Sequence, residues 1–262
     1  MILFSADDYG YSRQGSEHIL NCNQKQSIIK NTSILSNFAS SEDLNQIKSS
    51  AITKGIHLNL IEGKPLGSHK TLIDENGIFL SKSKLFNKIL KNKVDACEIY
   101  NEILLQLEFI LDSGIVITYA DSHQNTHFIP QIMCQYEKAL KKYNINKVRG
   151  QSPIYSWFSD SFELKANFHK SLAYVWNLFY TRSLITSNKI ILKAPGMGLK
   201  VKDVDEALSL WSSALKMHNE NVVYEVPCHL DYSELEFQLY SSPEFSKLLI
   251  ENKIKNCSYG EL

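Results

Sequence analysis

Short apolar runs alternate with amphipathic stretches along almost the whole of this 262-residue chain. Ile2-Leu3-Phe4-Ser5-Ala6 is apolar and bounded by turn-forming residues, which predicts a buried strand. Ser12 is placed to cap a helix over Arg13 to Gln24. Ser27 to Leu35 reads as a second strand. Ser40 and Asp43 form a capping box with Asp in place of Glu, opening a helix to about Ile52. From Gly55 to Leu60 the alternation is strict, so Ile56, Leu58 and Leu60 share one face of a strand and His57 and Asn59 the other. A loop follows at Glu62 to Leu66, and Asn76-Gly77 carries a hairpin signal. Ile99, Ile103, Leu107 and Ile110 lie at helical spacing in a helix from Val94 to Leu111, stopped near Gly114. Ile115 to Ala120 is a fourth strand, and Pro130 opens a helix through Ile132, Tyr136, Leu140 and Tyr143. Further strands are expected at Lys147 to Arg149, Ile190 to Lys193, Val222 to Cys228 and near Ile254. Helices are expected at Asp203 to Met217 and from Pro243. The aromatic-rich stretch 151–187 reads as helical.

Strand and helix alternate throughout, which favours a parallel sheet. About eight strands at this length predict an α/β fold built as an irregular, TIM-like (β/α) barrel of mostly parallel strands, with residues 1–262 as a single domain. No repeat, linker or low-complexity segment interrupts it.

Composition narrows the function classes. Lys and Arg total 28 and Asp and Glu total 28, so the formal net charge is zero and neither nucleic acid nor an anionic membrane is an expected partner. The five cysteines, Cys22, Cys97, Cys134, Cys228 and Cys257, include no C-x-x-C pair, which argues against a disulfide framework or a thiolate zinc site. Met1 leads straight into the first strand without a basic, cleavable leader, and no apolar run approaches a membrane span. A soluble cytoplasmic protein is the expectation. The aromatics of 151–187 raise a homodimer as a further expectation.

The chemistry gathers at strand ends. Asp7 and Asp8 close the first strand, Asp121 and His123 the fourth, and Arg149 and His229 two later ones, while His57 lies on the polar face of another. In an α/β barrel the C-terminal strand ends converge on one face, where the active site is built. Each residue has a plainer explanation: an Asp-Gly surface turn at Asp7 to Gly10, a hydrogen-bonded core histidine, a capping Asp121, a surface His127. Taken together they would be independent coincidences on one face. Asp plus His is a mixed oxygen–nitrogen donor set suited to a divalent metal with open positions. His18, His69, His169 and His218 lie in helical or loop contexts and read as surface or packing residues.

Three motifs carry a resemblance. They are Ala6-Asp7-Asp8-Tyr9-Gly10, Gly55-x-His57-x-x-Leu60-x-x-Gly63-Lys64-Pro65-Leu66, and Asp121-Ser122-His123-x-x-x-His127 followed by Pro130. Val148-Arg149 and the strand from Glu225 to His229 fall in the same order. In these the chain resembles the YdjC-like (ChbG-type) carbohydrate deacetylase family over nearly its whole length, most strongly through about residue 150. The resemblance implies a distorted (β/α) barrel and removal of N-acetyl groups from amino sugars or oligosaccharides of the chitooligosaccharide type. By position it implies Asp8, His57 and His123 as ligands of one divalent metal ion, magnesium or zinc, with Asp7 as catalytic base and His229 as general acid. It places His127 and Arg149 near the N-acetylated sugar substrate. Asp121 is a candidate partner for the outer nitrogen of a liganding histidine. The chain departs from the family pattern at Tyr9 in place of Phe and at Asn125 in place of a further His. It also has Leu230-Asp231 in place of Pro-Gly, and lacks an Arg in the segment Tyr240 to Glu244. The departures keep two alternatives open: a sugar-binding or regulatory protein with a partly decayed site, and a metal-dependent hydrolase of another ester or amide.

Overall fold

The computed structural model describes residues 1–26, 28–149, 185–186, 189–191 and 200–262. Eight strands are found among them: β1 (Ile2–Tyr9), β2 (Asn31–Ile34), β3 (Thr53–Leu58), β4 (Tyr119–Ser122), β5 (Lys147–Val148), β6 (Ile185–Thr186), β7 (Lys189–Ile191) and β8 (Val223–Cys228). They form one sheet in the order β6-β5-β4-β3-β2-β1-β8-β7, and every described pairing between them is parallel. The helices are α1 (Arg13–Gln26), α2 (Ser41–Ser49), α3 (Lys82–Leu90), α4 (Ala96–Asp112), α5 (Pro130–Lys142), α6 (Val204–Leu215), α7 (Glu234–Ser241) and α8 (Pro243–Glu251).

This is the cyclic strand order of a barrel, opened between β6 and β7. Neighbouring strands lie about 4.8 Å apart, so β5 and β8, five steps apart in the sheet, would be roughly 24 Å apart if it were flat. Yet the Arg149 Nε, just beyond β5, donates to Glu225 Oε1 on β8 at 2.7 Å. The sheet is therefore curled strongly enough to bring its far strands into side-chain contact. Only two residues separate β6 from β7, far short of the dozen or so that a parallel crossover requires. That is where the barrel departs from eight regular β/α units.

Period-2 alternation divides each strand between two interiors. Ile2, Phe4 and Ala6 of β1 and Tyr224, Val226 and Cys228 of β8 face outward into the main core under the helices. Phe4 there meets Trp211, Tyr240 and Phe245 with ring centroids 5.5–5.9 Å apart. Leu3, Tyr119, Cys257 and Tyr259 fill the inside of the curl, where the Tyr119 and Tyr259 rings stack at 3.8 Å. Gly55 is required at this level, because a Cβ there would come within 2.5 Å of the Tyr119 ring.

Several sequence expectations shift. The second strand is shorter than expected, and the fourth begins at Tyr119 and carries Asp121 within it. The two helices α3 and α7 had no counterpart in the pattern. No strand forms at Ile254; the segment contributes a single bridge, Asn256 to Ile2. The capping box at Ser40 and Asp43 forms as read. Apart from Ile185–Thr186, the stretch 151–187 lies outside the described residues, as do His169 and Arg182. All five cysteines are free, and among the described residues no helix is long and apolar enough to cross a membrane.

Candidate active site

The inner-facing series Leu3, Ser5, Asp7 on β1 carries the Asp7 carboxylate into the mouth of the curl. Asp8, next in sequence, would by alternation face the helices. Two features turn it inward. Asp8 has φ of 63°, a left-handed conformation rare for a residue with a side chain. The register between β1 and β2 also slips by one: Ala6 pairs with Thr32 but Tyr9 with Ile34, so Asp7 and Asp8 together stand opposite Ser33. Such a bulge re-aims a side chain, and its cost of order 1–3 kcal/mol is typical of functional sites. Gly10, at φ of 93° with Ala39 2.6 Å from where its Cβ would be, completes the turn.

His57 on β3 pairs directly with Asp121 on β4. As inner-facing neighbours they bond, His57 Nδ1 donating to Asp121 Oδ1 at 2.6 Å, with Ser33 Oγ 3.1 Å from the same nitrogen. The other nitrogen, Nε2, lies 3.2 Å from Asp8 Oδ1. His123 follows β4 directly; its Nδ1 is 2.9 Å from the same Asp8 oxygen, and its Nε2 donates to Glu62 Oε2 at 2.9 Å. Ligand atoms of Asp8, His57 and His123 all lie within 4.8 Å of one another, and all three residues are buried. Burial would raise the Asp8 carboxyl, but the two imidazoles outweigh it and hold it far below the usual carboxylate range. Burial likewise opposes charging His57, yet Asp121 and Asp8 push its pKa well up. This pocket calls for positive charge. With Asp121 and Glu62 accepting from the outer ring nitrogens, the inner nitrogens and Asp8 converge as donors, an arrangement that fits a divalent ion.

Asp7, His57 and Asp121 form a second convergent group, but its cation is already present. Arg149 donates from Nη1 and Nη2 to the two oxygens of Asp7 at 2.7 and 2.8 Å, and Nη2 lies 2.9 Å from Asp121 Oδ2. Its Nε is taken by Glu225, whose other oxygen accepts from Tyr259 Oη at 2.8 Å. Burial alone would raise the Asp7 carboxyl; the paired guanidinium reverses the shift and keeps it ionised. Arg149 in turn is held charged by three carboxylates despite complete burial.

His229 continues the inward series of β8, with Nε2 3.9 Å from Asp7 Oδ2 and 28% of its side chain open to solvent. Its backbone N–H donates to Glu236 Oε2 at 2.6 Å. Leu230, where Pro is usual in the family, is buried in the main core, and Asp231 accepts from the Ser12 hydroxyl. Asn125, where the family has His, is exposed at φ of 55°.

His127 is fully buried, its Nδ1 bonded to the Ser122 hydroxyl and its ring stacked 5.3 Å from Tyr136. Burial first, then the Arg149 charge, pushes its pKa down to about 3. His127 and Arg149 are both buried. Sequence reasoning passed over Glu62 and Glu225. Glu225 had a signal, a charge inside the apolar strand Val223–Cys228; Glu62 had only its position between His57 and Gly63.

A family model for YdjC-like proteins matches residues 1–251. A carbohydrate deacetylase of Vibrio parahaemolyticus is 22% identical over all of this chain and 96% of its own length. One of Clostridium beijerinckii is 31% identical over 149 residues, 55% of this chain and 58% of that protein. Among solved structures, a candidate cellobiose-phosphate cleavage protein from Enterococcus faecalis V583 superposes with a TM-score of 0.71 at 20% identity, covering 99% and 97% of the two chains. The Bc1960 peptidoglycan N-acetylglucosamine deacetylase reaches 0.50 at 11% identity, covering 98% and 85%. At those identities the structural likeness speaks for the fold alone. The three motifs sit at the ends of β1, β3 and β4 within a match running from residue 1 to 251, and the chain belongs to the YdjC-like protein family.

Proposed function

We propose that this protein hydrolyses the N-acetyl group of an amino sugar or oligosaccharide, residues 1–262 acting as one unit. The observation that carries the reading is one Asp-Asp pair divided between two tasks. Asp8 closes a three-residue donor set with His57 and His123, while Asp7, beside it, is gripped by Arg149. A divalent ion held by Asp8, His57 and His123 would polarise the acetyl carbonyl and lower the pKa of water. Asp7, ionised across neutral pH, is the proton acceptor for the attacking water. His229, partly open to solvent and within 4 Å of Asp7, would protonate the departing amine, which an amide needs and an activated ester does not. Asp121 and Glu62 hold the ring orientations of His57 and His123. The carbohydrate deacetylase relatives support the sugar substrate.

Acetate release from di-N-acetylchitobiose tests the reading. Release that stops on chelation and returns with magnesium or zinc is expected. Sugar binding without release would favour a binding protein, and release from simple esters alone would favour another hydrolase. His229→Ala should lower kcat on the acetamide sugar by about 10²–10⁴ and spare an activated ester; equal loss on both would remove the acid role.

A further inference from the structure

Three aromatic residues belong to neither packed core, although each lies at the same end of the sheet as the site. Tyr11 follows β1, Phe38 follows β2 and Tyr232 follows β8. Their rings form a row: Tyr11 to Phe38 at 4.9 Å between centroids, tilted 38°, and Tyr11 to Tyr232 at 5.4 Å, tilted 53°. Tyr232 keeps 48% of its surface open. The row is built, not incidental. Phe38 lies against the backbone of Gly63, where a Cβ would come within 2.7 Å of its ring. Tyr11 Oη donates to Glu62 Oε1 at 2.8 Å, and the other Glu62 oxygen accepts from His123. The middle ring of the row is thus one carboxylate away from the Asp8, His57 and His123 donor set.

We propose that Tyr232, backed by Tyr11 and Phe38, is a stacking platform for a pyranose ring of the substrate. This deepens the sugar-deacetylase reading and rests on it. A pyranose has a face of C–H bonds and an edge of hydroxyls. An exposed aromatic face takes the first, and phenol oxygens and a carboxylate beside it take the second. A ring seated on Tyr232 is held beside the donor set, so the platform selects for substrates with a sugar ring rather than for the acetamide itself.

Kinetics of the metal-loaded enzyme on di-N-acetylchitobiose test this with Tyr232→Ala, Tyr232→Leu and Tyr232→Phe. Ala and Leu should raise KM about tenfold with kcat changed less than about threefold. Phe, which keeps the flat ring and loses only the hydroxyl, should stay within about threefold of the parent. Melting curves identify any variant that fails to fold, and the Leu variant then stands in for Ala. An unchanged KM in Ala and Leu, or a fall in kcat alone, overturns the platform while leaving deacetylation intact. If the parent releases no acetate from the sugar, the deacetylase reading fails, and calorimetric titration with chitobiose decides the platform separately. Binding lost in Ala and Leu but kept in Phe upholds it; no binding, or equal binding in all, overturns it.

Discussion

Asp7 and Asp8 share a strand end and sit in opposite surroundings, one against a guanidinium and the other between two imidazoles. Asp7→Asn leaves Arg149 paired with Asp121 and Glu225, so the fold and the divalent-metal affinity should persist while acetate release falls by about 10²–10⁴. Metal titration and rate measurement on the same preparation check this, and loss of metal binding would make Asp7 a ligand instead. His127 gives a pH prediction of its own. Its pKa is pushed down to about 3 in the fold against roughly 6.5 in an unfolded chain. Below about pH 6.5 the unfolded chain binds a proton that the folded one does not, so stability should fall progressively toward pH 3. Asp7 and Asp8, with lowered values, add stability above the ordinary carboxylate pKa that is lost in stronger acid. His127→Gln should therefore flatten the drop in urea midpoint between pH 6.5 and 4.5 specifically. At this scale the sequence displayed the reactive residue types and their positions at strand ends. The inward turn of Asp8 was not legible, because period-2 alternation assigns it to the other face, and only the backbone bulge reverses that.

The element that most governs the site without touching it is α4. Glu102, fully buried on that helix, accepts from the backbone N–H groups of Leu66 and Gly67, at 3.0 and 2.9 Å, and from His69 Nε2 at 2.7 Å. One turn earlier Glu98 accepts from Lys70 and Thr71. Gln106 on the same helix brackets Asn59 from both sides. The loop carrying Glu62 is thus tied down by helix carboxylates. Glu102→Ala should leave buried donors without acceptors, costing about 1–3 kcal/mol in chemical denaturation. It should also speed hydrogen exchange at the Leu66 and Gly67 amides and weaken metal binding through a looser Glu62. Exchange unchanged at those amides would show the loop to be held by other contacts. The strict alternation around His57 and the long apolar stripe of α4 were readable because many residues repeat one signal. α3 and α7, eight or nine residues each, offer too few turns for a stripe to stand out. Glu102 carried no mark in the sequence pattern, because the loop it binds is distant in sequence.

At the level of the molecule, the curl of the sheet gathers Asp7, Asp121 and Glu225 around the guanidinium of Arg149 and sets Asp8 between His57 and His123 beside them. An added divalent cation should therefore stabilise the whole fold. At a hundredfold excess over its Kd the gain is about 2.7 kcal/mol, which for a chain of this size raises Tm by roughly 5–10 °C. Thermal scans with magnesium, zinc and chelator check it, and Asp8→Ala should erase the difference.

The place of β1 in the sheet also sets an order in time. It precedes the other described strands in the chain, yet it lies between β2 and β8, and its second partner comes more than two hundred residues later. At about 5–20 residues per second a ribosome needs roughly ten to forty seconds to deliver it. For that interval the apolar run Ile2 to Ala6 has one edge open, a segment of the kind that recruits other strands. Asp7 and Asp8 stand at its end as a pair of negative charges, the flanking gatekeepers that discourage such pairing. By that rule the two carboxylates would discourage the nascent chain from pairing with its neighbours before the sheet closes around them.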